Sequence, residues 1–198
     1  MGWIEPVTLQ GPHATLVPLD PSHHDALVRA ASDGALWRHW YTSVPSPETM
    51  AAAIVERLAL RDSGMMIPFA VVDTASGETV GMTSFGNIDH TFRRVEIGWT
   101  WYAQRMQRTA LNTDAKRLLL THAFETLQCI AVELRTHALN LASRRAIERI
   151  GARLDGILRH HRRTDDGALR DTCVYSIIAP DWPAVRMHLA WMLERHRE

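Results

Sequence analysis

A chain of 198 residues and 22.4 kDa, 46% hydrophobic and 22% charged, suits one domain with a self-sufficient core; this composition excludes disorder, collagen and coiled coil. The longest unbroken apolar run, Met65 to Val72, contains Pro68 and falls far short of the roughly 20 residues of a membrane span. Net charge is zero, yet residues 1–90 carry 4 basic and 10 acidic side chains and residues 91–198 carry 18 and 12, which suggests a cationic partner for the first half and an anionic one for the second.

The opening M-G-W-I-E-P lacks the blocks of a signal peptide, and Pro6 breaks the myristoylation pattern. Ala14 to Leu19 reads as a first strand, closed by the turn at Asp20-Pro21, and Ser22 to Ala31 as a short helix. Trp37 to Pro47 is irregular and aromatic. Pro47 then stands at a helix start, with Met50, Ile54 and Leu58 at helical spacing up to Ser63-Gly64. Strands are predicted at Ile67–Val72 and Val80–Asn87, joined by a turn-rich loop. In the strand Arg94–Tyr102, alternation puts Glu96, Gly98, Thr100 and Tyr102 on one face and Val95, Ile97, Trp99 and Trp101 on the other. A long helix carries the stripe Leu111, Ala115, Leu118, Leu119, His122 and Ala123. The next strand alternates Val132, Leu134 and Thr136 with Glu133 and Arg135. Asn140 caps a helix that Gly151 stops. Arg153–Arg163 and Thr172–Ile178 form a hairpin around Asp165-Asp166-Gly167, and a tail helix begins near Asp181. This order describes a mixed, mostly antiparallel α/β (α+β) sheet with helices on both faces and a parallel step near 94–137.

P-loop, Rossmann, serine-hydrolase and zincin motifs are all missing. His23-His24 and His160-His161 are adjacent pairs whose side chains diverge, so no metal is expected. Cys129 and Cys173 have no redox or metal spacing, which suits a reducing, cytoplasmic setting. Strand becomes helix through Q-R-M-Q-R-T-A-L-N at 104–112, where unpaired backbone N–H groups can receive a phosphate and Arg105 and Arg108 add full charges. A plain loop capped by Asn112 or Thr113 would need the same residues.

Three motifs in order resemble the GCN5-related N-acetyltransferases (GNAT), and within them the RimJ/RimL-like branch that acetylates ribosomal-protein N-termini. They are V-E-I-G-W-T-W at 95–101, Q-R-T-A-L-N-T-D-A-K at 107–116 and E-L-R-T-H-A-L-N-L-A-S-R-R-A-I-E-R-I-G-A at 133–152. The resemblance covers residues 8–190 as one domain, with the last helix running to about 197. Ala110 stands where the family loop has a small Gly; it would strain at positive φ but not as a helical residue. Glu148 stands where many members carry a Tyr acid.

The resemblance implies acetyl-CoA as co-substrate and direct attack by an amine. Backbone groups at Thr100, Trp101 and Tyr102 would polarise the thioester carbonyl. Arg105 and the backbone from Gln107 through Arg108, Thr109, Ala110 and Leu111 to Asn112 would hold the diphosphate. Asn140 would bond the pantetheine arm and Ser143 would meet the departing thiolate. Glu96 is the candidate base, with a structural ion pair to Arg94 or Arg135 as the competing role. The acceptor would approach past residues 22–63, where Asp33, Glu48 and the Trp37–Tyr41 aromatics suggest a cation-accepting mouth. An α-amine or small amine suits a weakly equipped site better than a lysine. The basic run from Arg144 to Arg163 is interrupted by acids and lacks an RNA-recognition motif. An acyl-CoA-binding module without turnover, or an enzyme detoxifying an antibiotic or polyamine, would share these motifs. A homodimer is compatible with the amphipathic tail.

Overall fold

The computed structural model describes residues 3–164 and 167–195. Among the described residues eight strands join in one sheet: β1 (Leu9–Gln10), β2 (Ala14–Pro18), β3 (Met66–Asp73), β4 (Thr79–Asp89), β5 (Arg94–Tyr102), β6 (Ala131–His137), β7 (Arg153–Arg163) and β8 (Leu169–Ile178). Their order across the sheet is β1-β2-β3-β4-β5-β6-β8-β7. Five α-helices among the described residues flank it: α1 (His24–Ser32), α2 (Met50–Asp62), α3 (Ala110–Thr121), α4 (Leu141–Arg149) and α5 (Trp182–Glu194). Among the described strands the β5–β6 pair alone is parallel, because α3 returns the chain from the end of β5 to the start of β6. The fold class matches the expectation from the sequence, and no helix among the described residues is long and apolar enough to cross a membrane.

Several local expectations shift. The two-residue strand β1 is too short to leave a periodic signal. Helix α2 starts at Met50 rather than Pro47, since Ser46–Thr49 folds into a turn closed by the Ser46 N–H donating to Thr49 Oγ1 at 2.9 Å. The helical stripe continues past α3 only as a π-turn over His122–Thr126. Strand β8 begins at Leu169, ahead of Thr172. The expected turn residues Asp165 and Asp166, and the chain end beyond Arg195, lie outside the described residues.

A buried apolar cluster fills the molecule, including Phe69, Phe85, Leu111, Leu119, Val132 and Tyr175. Burying such side chains contributes roughly 1.5–3 kcal/mol each. Two features aim α3 and α4. Asp114, fully buried, accepts hydrogen bonds from the N–H groups of His13 (2.8 Å) and Ala14 (3.1 Å) and pairs with Arg117 at 2.8 Å, tying α3 to β2. Gly151, at φ +95°, ends α4 in the left-handed conformation and donates to the Glu148 carbonyl at 2.9 Å.

Candidate active site

The β5–β6 ladder consists of Arg94–Ala131, Val95–Val132 and Glu96–Glu133, and then it stops. Past Glu96 the strands diverge around a cleft of about 470 Å³ lined by residues of β5, β6, α3, α4, the β7–β8 hairpin and the α1–α2 connection. A bulge widens the opening. Ser84 faces Gly98 and Met82 faces Trp101, so Trp99 and Thr100 together oppose Thr83, and Trp99 takes φ +51°. The Trp99 ring lies over Gly86, where a Cβ would come within 2.2 Å of the indole.

This bulge corrects the alternation expected for β5. Counting through the register, Glu96, Gly98 and Trp101 share one face of the sheet, whereas Ile97, Thr100 and Tyr102 share the other. Thr100 belongs to the α3 face: Lys116 Nζ donates to Thr100 Oγ1 at 2.9 Å, and Thr100 Oγ1 meets Thr83 Oγ1 at 2.7 Å. Glu96 therefore does not share a face with Thr100. On its own face the register aligns Glu133, Arg135 and His137 of β6, Thr172 and Arg170 of β8, and Arg162 of β7. Lined by Asn112 and Lys116 of α3 and by His39 and Tyr41 of the α1–α2 connection, the cleft passes through the sheet, and Trp40 packs edge-on to His137 at 5.2 Å between centroids.

On the α3–α4 side two helix N-termini open on the cleft. Helix α3 is capped by Thr109, whose Oγ1 accepts from the Leu111 N–H at 3.3 Å, rather than by Asn112 or Thr113. Ala110 is its first helical residue, so the unusual loop residue carries no strain; the positive φ falls at Arg108, +63°. Gln107, Arg108 and Asn112 line the cleft. Thr109, Ala110 and Leu111 stand at the helix start behind them, with Leu111 buried. Arg105, expected at a diphosphate, is held elsewhere: its guanidinium bonds Asp33 at 3.0 Å and Glu78 at 2.8 Å, outside the cleft lining. Asn140 caps α4 by accepting from the Ser143 N–H at 3.0 Å, and both residues line the cleft. Trp101 and Tyr102 line it too, and the buried indole N–H and phenol O–H have no hydrogen-bond partner among the described residues. Burial pushes the Tyr102 phenol far up from its ordinary value. Glu148, at the family's Tyr position, accepts instead from the Tyr175 O–H at 2.9 Å.

Glu96 is buried on the opposite side, accepting from Asn87 Nδ2 at 2.6 Å and facing Arg135 Nε at 3.5 Å. Burial raises its pKa above the usual carboxylate value, against the lowering effect of Arg135 and the Asn87 bond. The expected acidic mouth does not form. Asp33 is spent on Arg105, and Glu48 is a surface group accepting from Ser46 at 2.7 Å; neither lines the cleft. Two features escaped the sequence reading. Lys116 is buried, and desolvation brings its ammonium down to about 7; its only signal was a lysine beside an apolar stripe. Arg162 and Arg170 become neighbours only through the irregular β7–β8 register, shifted between Leu158 and Arg162.

Would the cleft accept an acyl-CoA? Backbone groups of β5 past Glu96 have no β6 ladder partner, the unpartnered Trp101 and Tyr102 dipoles border the opening, and the α3 N-terminus carries Arg108 beside it. This donor set fits an amide-bearing arm ending in a diphosphate.

Comparisons with known proteins agree with the geometry. The sequence profile described as the acetyltransferase (GNAT) domain matches residues 13–153. A crystal structure of a GCN5-related N-acetyltransferase from Brucella melitensis superposes with a TM-score of 0.88 at 29% identity, covering 97% of this chain and 87% of that one. Mycobacterium smegmatis RimJ, solved in complex with CoA-disulfide, gives 0.79 at 25% identity, with 94% and 95% covered. A Bacillus subtilis (strain 168) protein, provisionally named ribosomal N-acetyltransferase YdaF, is 34% identical over 106 residues, 54% of this chain and 57% of that relative. The match thus spans little more than half of that curated relative's length. With the matched profile covering most of the chain, this protein belongs to the GNAT acetyltransferase-domain family.

Proposed function

We propose that residues 8–190 form an N-acetyltransferase domain that moves an acetyl group from acetyl-CoA to a primary amine, either a protein or peptide N-terminal α-amine or a small amine. The observation that carries this reading is a cleft crossing the sheet, with the N-termini of α3 and α4 on one side and the buried carboxylate of Glu96 on the other. Acetyl-CoA, when bound, supplies an acyl group already activated as a thioester.

The chain's residues then divide the work. Arg108, Gln107, Asn112 and the first N–H groups of α3 hold the diphosphate. Backbone N–H groups at Thr100 to Tyr102, kept apart from β6 by the bulge, polarise the acyl carbonyl; this electrostatic contribution is commonly the largest in acyl transfer. Asn140 orients the arm, and the Ser143 hydroxyl donates toward the departing sulfur. Glu96, its proton affinity raised by burial, takes the amine proton from the opposite side. Cys129 is no nucleophile here: it is buried outside the cleft lining and burial pushes its thiol up to about 11. An α-amine, with a reference pKa of about 7.7–8.0 against about 10.4 for lysine, arrives far more often neutral and demands less of a single carboxylate.

The test combines calorimetry with coenzyme A and thiol release from acetyl-CoA over a panel of N-terminal peptides, internal-lysine peptides and small amines. Binding with turnover on α-amines is the expected result. Equal rates on internal lysines would remove the α-amine preference, and tight binding with no turnover on any amine would replace the enzyme by a binding module.

A further inference from the structure

The acceptor side of the cleft holds more positive charge than it neutralises. Glu133 takes Arg94 and, at 2.7 Å, Arg135; Glu96 faces Arg135 from its other side. These four groups balance. Arg162, exposed, and Arg170, half-buried, also line the cleft; no hydrogen bond or ion pair joins either guanidinium to another described residue, and Glu96 acts on both only at longer range. They sit directly opposite each other in the β7–β8 register, an arrangement of like charges that costs stability unless an anion lies between them. Burial and the neighbouring Arg162 depress the Arg170 pKa, and the Glu96 carboxylate offsets them only in part.

A second observation points the same way. Thr172, 1% exposed and two residues along the same strand face from Arg170, lines the cleft with its Oγ1 buried and unpartnered, and Arg170 Nε is buried and unpartnered as well. Buried donors without acceptors are rare in folded proteins unless a ligand or water satisfies them. Two guanidinium groups and a hydroxyl converging on one cleft wall are suited to a carboxylate, which takes a fork of N–H donors. The diphosphate of the coenzyme docks at α3, on the far face of the sheet, and does not use this cluster.

We propose that Arg162, Arg170 and Thr172 recognise a carboxylate carried by the acceptor near its reacting amine, so that the acceptor class is an anionic amine rather than a polyamine. This rests on the acetyltransferase reading and narrows it. The carboxylate comes either from an Asp or Glu side chain close to a peptide N-terminus or from the free carboxylate of a small amino acid.

The experiment compares hexapeptides Ala-Glu and Ala-Gln that differ only at the second residue, and in a parallel arm free alanine with alaninamide, all with acetyl-CoA. The acidic member of at least one pair should show kcat/KM higher by about tenfold, mostly through KM. In Arg162→Gln and Arg170→Gln this ratio should collapse toward one, any change at Glu96 falling on both members of a pair and cancelling in the ratio, and Arg170→Lys should keep part of it. The peptide arm succeeding alone assigns the source to protein N-termini; the amino-acid arm succeeding alone assigns it to small molecules. Equal rates within both pairs, or a ratio untouched by the substitutions, would overturn the inference while leaving acetyl transfer standing. Binding of the N-acetylated Glu and Gln peptides in the presence of coenzyme A reads the same preference without turnover. Should no amine react, indifference there overturns the inference, and a preference for Glu sustains the anion site while the enzyme reading falls.

Discussion

Desolvation at Glu96 has a measurable kinetic signature. A base works only when deprotonated, so kcat/KM should rise with pH through a pKa lying above the ordinary carboxylate value. Glu96→Gln should lose this limb and slow kcat by about 10²-fold, a typical general-base contribution, with little change in KM for acetyl-CoA. Ser143→Ala should leave coenzyme affinity nearly intact and slow turnover, since the cap on α4 is supplied by Asn140; unchanged turnover would remove Ser143 from the chemistry. Residues whose role is local were readable in advance: Asn140 and Ser143 lie three apart, and the cap that joins them is written in that spacing. Arg105 was misplaced because its partners, Asp33 and Glu78, are 72 and 27 residues away and nothing near it announces them.

Among the elements, the bulge in β5 decides most. Two-residue periodicity is a sound guide to which face a side chain takes, but one extra residue reverses every assignment beyond it, as happened to Thr100. Lys116 fastens α3 to the strand at this same point. Its proton affinity falls from the ordinary lysine value to about 7 in the folded chain. Between those two values the unfolded chain keeps a proton that the native one has released, so native stability should gain as pH rises. Lys116→Met has no proton to release. Urea midpoints taken at pH 7 and pH 9 should therefore rise for the parent relative to this variant, with a slope limited to about 1.4 kcal/mol per pH unit. Parallel trends for the two proteins would show that Lys116 stays charged in the fold.

For the molecule as a whole, the order of strands and helices was legible because each crossover and hairpin has a length and a turn composition that constrain it. The charge gradient was legible as a fact but not as a map: Asp33 and Glu48 of the acidic first half stay outside the cleft lining, and the basic second half brings Arg162 and Arg170 to it from β7 and β8. Ligand linkage gives a global test of the cleft. Coenzyme A at a hundredfold excess over its Kd should add about 2.7 kcal/mol to unfolding stability, seen as a higher Tm. Asn112→Asp, in the first turn of α3, should stabilise the free protein by about 0.3–1 kcal/mol through the helix dipole and yet erase most of that ligand-induced rise. A full rise in the variant would move the diphosphate away from α3.

The β5–β6 ladder has three residue pairs among the described residues, braced by the ion pairs Arg94–Glu133 and Arg135–Glu96, whereas the antiparallel ladders on either side run longer. The five strands of the N-terminal portion and the three of the C-terminal portion meet there like covers on a short spine. A change of angle about Arg94–Glu96 and Ala131–Glu133 would break no other ladder of the sheet. Amide protons of Ile97–Tyr102 and Leu134–His137 should accordingly exchange faster than those of β3 and β4, and slow down once coenzyme A bridges the gap.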